Sequence, residues 1–223
     1  MKIPEIKALL FMKQQSERVP GKNMRSFCEK PLFHWILESL SKSIYISEIL
    51  INTDSELIAN EASKHFDVTI HVRPDYLLTI NSNEANQIIE YDLSITEGNY
   101  FLQTHSTNPL LKTDTIDRSI EEFFRNSNND SLLSVTPWKT RLFFHDGKPI
   151  NHDPEKLIKT QDLPAVYEEN SCIYIFSREG FIKNKNRLGK SPLLFQVDKF
   201  EAVDIDEEFD FKFAEELMKH RNG

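Results

Sequence analysis

The sequence predicts an α/β fold, with a mixed, mostly parallel sheet flanked by helices. Three observations carry that expectation. Short apolar runs alternate along the chain with segments of 3.6-residue periodicity. The first apolar run, "ALLFM", leads through a polar loop into an amphipathic segment. After Val135 the rhythm breaks, and apolar residues flank Asp146-Gly147, a dipeptide suited to a tight hairpin turn. At 223 residues, with 39% hydrophobic residues, the chain can fill a sizeable core, and no repeat, linker or low-complexity tract divides it. One domain over residues 1–223 is expected, with an antiparallel excursion over 138–168.

Taken in order, "ALLFM" is the first strand, and Leu32, Phe33, Ile36, Leu37 and Leu40 form the apolar stripe of the first helix. "EILINTD" is the next strand. Asp54, at its end, precedes a helical pattern and by itself reads as that helix's N-cap. "VTIHV", "NYFLQTH" and "SLLSVT" are further strands, with Ile116, Ile120, Phe123 and Phe124 marking a helix before the last of them. Beyond the excursion come a strand in "EENSCIYIFS", a short helix, a strand in "LLFQVD", a strand end in "EAVDID", and a final helix with Phe209, Phe213, Ala214 and Leu217 on its apolar face.

A formal charge of −8 argues against a nucleic-acid or anionic-membrane partner, while leaving room for a concentrated cationic pocket that holds a small polyanion. The N-terminal apolar run is too short to span a bilayer and too soon broken to be a signal peptide, so a cytoplasmic location is expected. Cys28 and Cys172 lie beside apolar or aromatic residues in no metal-ligand spacing; they read as small buried thiols.

Ligands of open parallel sheets bind beyond the carboxyl ends of strands, and "KQQSERVPGKN", Lys13 to Asn23, is the first loop at such an end. A Walker A motif would need glycine at Ser16 and Ser or Thr at Asn23, and no GxGxxG occurs. What remains is a loop with Lys13, Arg18 and Lys22 as phosphate partners, Ser16 and backbone N–H groups as further donors, and Pro20-Gly21 setting a turn. A triphosphate matches it. By composition the loop is equally a solvated surface turn, and Glu17 carries the wrong charge for an anion site.

The second chemical signal is "EAVDIDEEFDF". In an extended segment residues i and i+2 share a face, so Asp204 and Asp206 project together. Two carboxylates on one face repel unless a cation joins them, and magnesium, held by one or two carboxylates plus phosphate oxygens, has this composition. Acids favoured at a helix N-terminus are the alternative, which suits Glu207 and Glu208 better than the alternating pair.

Ser16, Pro20, Gly21, Lys22 and Asn23, followed by "EKPLFHWILESL", resemble the opening signature of the acylneuraminate cytidylyltransferases, or CMP-sialic acid synthetases, which reads Ala-Arg-Gly-Gly-Ser-Lys-x-x-Pro-Gly-Lys-Asn. Here Lys13 replaces the arginine, Gln14 and Gln15 the glycines, and Glu17 the lysine, with Arg18 restoring the charge lost at 17. Ser16, Arg18, Pro20, Gly21 and Lys22 also satisfy the related ketodeoxyoctonate pattern. The resemblance continues in the same order through "ILINTDSELIANEA", Arg73-Pro74, "FLQTHSTNPLL" and "TQDLPAVYEENSCIYIFSR" to "EAVDID". In the third of these Gln103 and Ser106 match a Gln-Pro-Thr-Ser-Pro segment with Thr107 and Asn108 inserted; in the fourth Gln161, Asn170 and Tyr174 match while Ser171 and Cys172 replace Gly and Ala. No Gly-Asp-Glu-Pro pattern of the ketodeoxyoctonate enzymes is present, which favours acylated nine-carbon acids.

The resemblance implies a Rossmann-like nucleotide-diphospho-sugar transferase fold, a homodimer formed through the 138–168 excursion, and transfer from CTP to a 2-keto-3-deoxy sugar acid with Mg2+ as cofactor. It assigns CTP to Lys13, Ser16, Arg18, Lys22, Asn23 and Asp54, and the metal to Asp204 and Asp206. The sugar falls to Gln103, Ser106, Gln161, Asn170 and Tyr174, the last of which reads equally as core, and catalysis to Arg18, Lys22 and Asp206. No general base is assigned. A nucleotidyltransferase for another base or a sugar 1-phosphate is one alternative; a non-catalytic sugar-nucleotide-binding dimer is the other.

Overall fold

The computed structural model describes residues 3–16, 18–78 and 85–222; the expectation for Glu17 lies outside them. Its strands are β1 (Ile6–Met12), β2 (Ser26–Phe27), β3 (Lys30–Pro31), β4 (Ile46–Thr53), β5 (Thr69–Val72), β6 (Tyr100–Thr104), β7 (Ser131–Trp138), β8 (Val166–Ser177) and β9 (Pro192–Gln196). The α-helices are α1 (Leu32–Ser41), α2 (Glu56–His65), α3 (Ala85–Ile95), α4 (Thr113–Arg125), α5 (Arg178–Asn184) and α6 (Glu208–Asn222).

Seven strands form one sheet in the order β5-β4-β1-β6-β8-β7-β9. All neighbours pair in parallel except β8, which runs antiparallel to both β6 and β7. The sheet is therefore mixed and mostly parallel, as the alternation of runs predicts. Alternate residues of β1 separate its two faces: Ile6, Ala8, Leu10 and Met12 pack with α1, α2 and α4, while Leu9 joins Ile89 and Leu93 of α3 and Phe181 of α5. Leu32, Phe33, Ile36, Leu37 and Leu40 are all fully buried, as their helical spacing requires. Burying a side chain of this size is worth about 1.5–3 kcal/mol, so α1 is held by packing rather than by caps, of which it has no side-chain example.

A third apolar cluster positions the site. Val19 from the loop after β1, Phe27, Leu32, Leu110, Ile205 and Phe211, Ala214 and Met218 of α6 pack together. This cluster clamps the chain's end against its opening loop.

Four sequence expectations change. Val203 to Asp206 belongs to no strand, because its backbone bonding goes to a loop: Ile205 N donates to Thr107 O (3.0 Å). Ser55, not Asp54, caps α2, its hydroxyl accepting from Ile58 N at 3.3 Å. The buried face of α6 is Phe211, Ala214 and Met218; Phe209 and Phe213, 73% and 47% exposed, stack on each other outside. Cys172 is buried, but Cys28 is only half-buried, sitting with Glu29 in the two-residue turn between β2 and β3.

The excursion after β7 stays within the sheet at its base, since Trp138 pairs with Val166. Beyond, a tight turn forms around Asp146-Gly147, with Phe144 N donating to Lys148 O (2.8 Å) and a bridge between Phe143 and Pro149. Among the described residues no helix is long and apolar enough to cross a membrane.

Candidate active site

The loop from Lys13 to Asn23 is shaped before any ligand enters it. Gly21 has φ +64°, a conformation that favours glycine, and the turn closes with Lys22 N bonded to Val19 O (3.2 Å) and Met24 N to Gly21 O (3.0 Å). Side chains just beyond the ends of two strands, Asp54 after β4 and Ser106 after β6, hold it together with the loop's own Asn23. Asp54 accepts from Gln14 N (2.7 Å), Asn23 Nδ2 donates to Lys13 O (3.1 Å), and the Ser106 hydroxyl donates to Asn23 Oδ1 (2.6 Å). Ser16 Oγ accepts a long bond from Val19 N (3.4 Å). Lys13, Ser16, Arg18, Lys22, Asn23 and Ser106 thereby come together around one open cavity of about 510 Å³, which His105 and Thr107 also line. Asp54 serves the cavity from behind, through Gln14.

The carboxylate pair closes one side. Arg18 Nη2 reaches Asp206 Oδ1 at 2.7 Å, and the Lys22 ammonium donates to Ile205 O. Burial pushes Lys22 below the usual lysine range, against the pull of Asp204 and Asp206. Burial pushes the Asp204 carboxyl up; Asp206 adds to this and a hydrogen bond from Thr107 opposes it. Asp204 Oδ1 is buried with no hydrogen-bond partner. A bare, buried carboxylate oxygen beside a second carboxylate suits a divalent cation. Among the described residues no three or more His, Cys, Asp or Glu form a group that could hold a metal ion, so an ion on this pair would complete its shell from phosphate oxygens and water.

Both aspartates also line a second cavity of about 420 Å³, with Trp138, Glu168, Asn170 and Ser171 among its walls. Its floor is a bulge in β8, where pairing with β7 shifts register and Ser171 takes φ 58°. Asn170 is buried there, accepting from Ser134 Oγ (2.6 Å) and donating to Thr136 Oγ1 (3.0 Å).

Three residues assigned to the sugar by resemblance are placed differently. Gln103 and Tyr174 are fully buried and line neither cavity. Tyr174 bonds Glu169 and the Ser171 hydroxyl (3.1 Å), and burial pushes its phenol up to about 12. Gln161 lies exposed on the excursion, its backbone oxygen accepting from Lys139 Nζ (3.3 Å), and it lines neither cavity.

Sequence reasoning missed Thr107 and Asn108, which tether Val203 to Asp206: Thr107 through its backbone oxygen and hydroxyl, Asn108 through a bond from Nδ2 to Val203 O (3.3 Å). Their position as an insertion beside a matched segment was the available signal. His105 was also missed. His105 lines the first cavity and is partly buried; burial, with Arg187 and Lys22 nearby, pushes its imidazole down to about 4.

Residues 8–221 match the model of a family described as cytidylyltransferase. The chain is 29% identical to the post-translational flagellin modification protein B of Campylobacter coli, over 98% of this chain and 97% of that one. It is 28% identical to a CMP-N,N'-diacetyllegionaminic acid synthase of Legionella pneumophila, over 96% of each. A CMP:2-keto-3-deoxy-manno-octonic acid synthetase solved with CTP shares the fold, with a TM-score of 0.70, 10% identity, and coverage of 97% of this chain and 99% of that one.

Proposed function

This chain belongs to the cytidylyltransferase family, and from that premise we propose that it joins CTP to a 2-keto-3-deoxy sugar acid of the acylated nine-carbon kind, releasing pyrophosphate. The observation that carries the reading is the seam itself: Asp204 and Asp206 stand in the wall of one cavity, Asp206 pairs with Arg18 of the other, and both carboxylates act on the charge of its Lys22. A triphosphate in the first cavity and an anomeric hydroxyl in the second would meet there.

In this reading Lys13, Arg18 and Lys22 bind and orient the phosphates, Arg18 through a planar fork that matches two phosphate oxygens. Arg18 leaves Asp206 to do so. The hydroxyl forms its bond to the α-phosphorus and gives its proton to water as the bond to pyrophosphate breaks, and positioning and charge neutralisation supply the rate. Magnesium, when bound by Asp204 and Asp206, supplies further neutralisation of the triphosphate. Asn170, fixed by Ser134 and Thr136, keeps the bulge that shapes the acceptor cavity.

We assign the excursion to a homodimer interface. Phe143, Phe144 and Leu157 are 54%, 56% and 86% exposed in the single chain, more apolar surface than one projecting turn ordinarily shows to water. We propose a cytoplasmic location, in keeping with CTP as the substrate. The test is a pyrophosphate-release screen of four nucleotides against acetylneuraminate, legionaminate, pseudaminate, ketodeoxyoctonate and a sugar 1-phosphate. Release that requires CTP, a divalent cation and a nine-carbon acid supports the reading; equal release with the sugar 1-phosphate refutes it.

A further inference from the structure

In the proposed reaction the acceptor reaches the second cavity as an anion, and the wall that it meets there is mostly anionic. Glu168, Glu169, Asp204 and Asp206 all line that cavity. The two glutamates are already engaged: Glu168 Oε2 accepts from Trp138 Nε1 (2.7 Å), and Glu169 accepts from the Tyr174 hydroxyl. Among the described residues that line the cavity, Lys199 alone carries a positive charge.

The loop that carries Lys199 is anchored on both sides. Val197 N donates to Val135 O (3.0 Å), just beyond the parallel pairing of β9 with β7. Asp198 then closes a turn, its carboxylate accepting from Phe200 N (2.8 Å) and its backbone oxygen from Ala202 N (2.9 Å). Glu201, which is buried, accepts from Lys112 N (3.0 Å) and pairs with Lys112 Nζ (3.2 Å), tying the loop to the start of α4. The backbone at Lys199 is fixed by these bonds, while its side chain stays exposed, with the ammonium 5.4 Å from the centre of the Phe200 ring. Lys199 also lines a neighbouring cavity of about 460 Å³ at the carboxyl ends of β7 and β9, which shares Thr136 and Trp138 with the second cavity. Crevices beyond the carboxyl ends of parallel strands are where open α/β sheets bind their ligands.

We infer that Lys199 is a specificity-determining residue that binds the carboxylate of the sugar acid. The inference rests on the proposed cytidylyl transfer to a sugar acid. In a 2-keto sugar acid closed to its ring, the carbon that bears the reacting hydroxyl also bears the carboxylate, so a hydroxyl at the Asp204–Asp206 seam brings the carboxylate into the same cavity. There it meets like charges, which disfavour an anion unless a cation accompanies it. A metal on the aspartates would offset those two and leave Glu168 and Glu169. A compact ammonium on a flexible stem can follow a carboxylate as a point charge, without the fixed two-oxygen geometry that an arginine imposes. An acceptor without a charge would gain little from it.

The experiment measures KM for acid and for CTP separately in the wild type, Lys199→Met and Lys199→Arg. The probes are the nine-carbon acid that the pyrophosphate screen finds most active and the methyl ester of that acid, whose carboxyl group carries no charge. Where the ester is not turned over, its inhibition constant against the acid takes the place of its KM. Loss of a charge-assisted contact predicts a rise of about tenfold in acid KM for Lys199→Met, with the constants for ester and CTP within about twofold of the wild type. Lys199→Arg keeps the charge and should stay nearer the wild type than Lys199→Met does. A rise shared equally by acid and ester means that Lys199 reads another part of the sugar and overturns the inference, as does an unchanged acid KM or a CTP KM that rises in step. Should Lys199→Met fail to fold by circular dichroism, Lys199→Gln is judged by the same criterion. A wild type that turns over no sugar acid removes the proposed function and this inference with it, whereas an active wild type with indifferent variants removes only the inference.

Discussion

In an Asp204→Asn variant the side chain keeps its size and its hydrogen bond from Thr107 but loses a charge that burial and Asp206 both disfavour. The oxygen it replaces has no partner, so the amide forfeits no hydrogen bond. Removing an unsatisfied buried charge should stabilise the empty protein by about 1 kcal/mol, equivalent to a melting point raised by about 2–4 °C in a chain of this size. Asp206→Asn is different, because Asp206 pairs with Arg18. Those side chains are 47% and 62% exposed, and a pair so open to water is worth about 0.2–1 kcal/mol, so the melting point should slip slightly or hold. Turnover should fall together in both variants. Losing one preorganised electrostatic contact to the reacting phosphate typically costs about 10²–10³ in rate, or about 3–4 kcal/mol. Pyrophosphate release at saturating CTP, acid and magnesium, measured beside thermal melts followed by circular dichroism, separates the two effects. The reasoning is refuted if Asp204→Asn melts well below the wild type as it loses activity, or if both variants keep near-normal turnover.

Arg18→Ala should weaken CTP binding about tenfold, from the loss of a charge-assisted bond, while the melting point stays near that of the wild type; calorimetric titration reads the first and a melt the second. At Ser171, with φ 58°, a glycine relieves a strain of about 1–2 kcal/mol and a valine increases it, so melting points should order Gly, Ser, Val from the top, and any other order removes the strain argument. His105 has its folded pKa depressed to about 4, so the unfolded chain binds the extra proton first; stability should fall as pH drops from about 6.5 toward 4. His105→Gln should flatten that limb in pH-dependent denaturant titrations. Phe143→Asp combined with Phe144→Asp should convert a dimer to a monomer in sedimentation velocity at micromolar concentration, and an unchanged sedimentation coefficient would show that the excursion is not the interface.

Local spacing in the sequence, which missed α3 and the small β2-β3 hairpin, was enough to determine the seven strands of the large sheet, the helices α1, α4 and α6, the buried stripe of α1, the cationic loop and the alternating aspartates. These depend on periods of two and 3.6 residues, which neighbouring positions encode by themselves. What those parts meet depended on the tertiary structure. Arg18 and Asp206 lie 188 residues apart in the chain, and they touch because α6 packs Phe211, Ala214 and Met218 against Val19 and Phe27. That packing also decides which aromatic residues of α6 are buried, since the segment from Val203 to Asp206, tied to Thr107 and Asn108, sets the phase at which the helix begins. Gln103 and Tyr174 match a sugar-reading pattern in sequence, yet in the fold their polar atoms bond His105, Arg187, Glu169 and Ser171. A matched side chain acts on a ligand only if its donors and acceptors are left free by its neighbours, and those neighbours are chosen by strand register and by the turn after α5, which one-dimensional spacing does not carry.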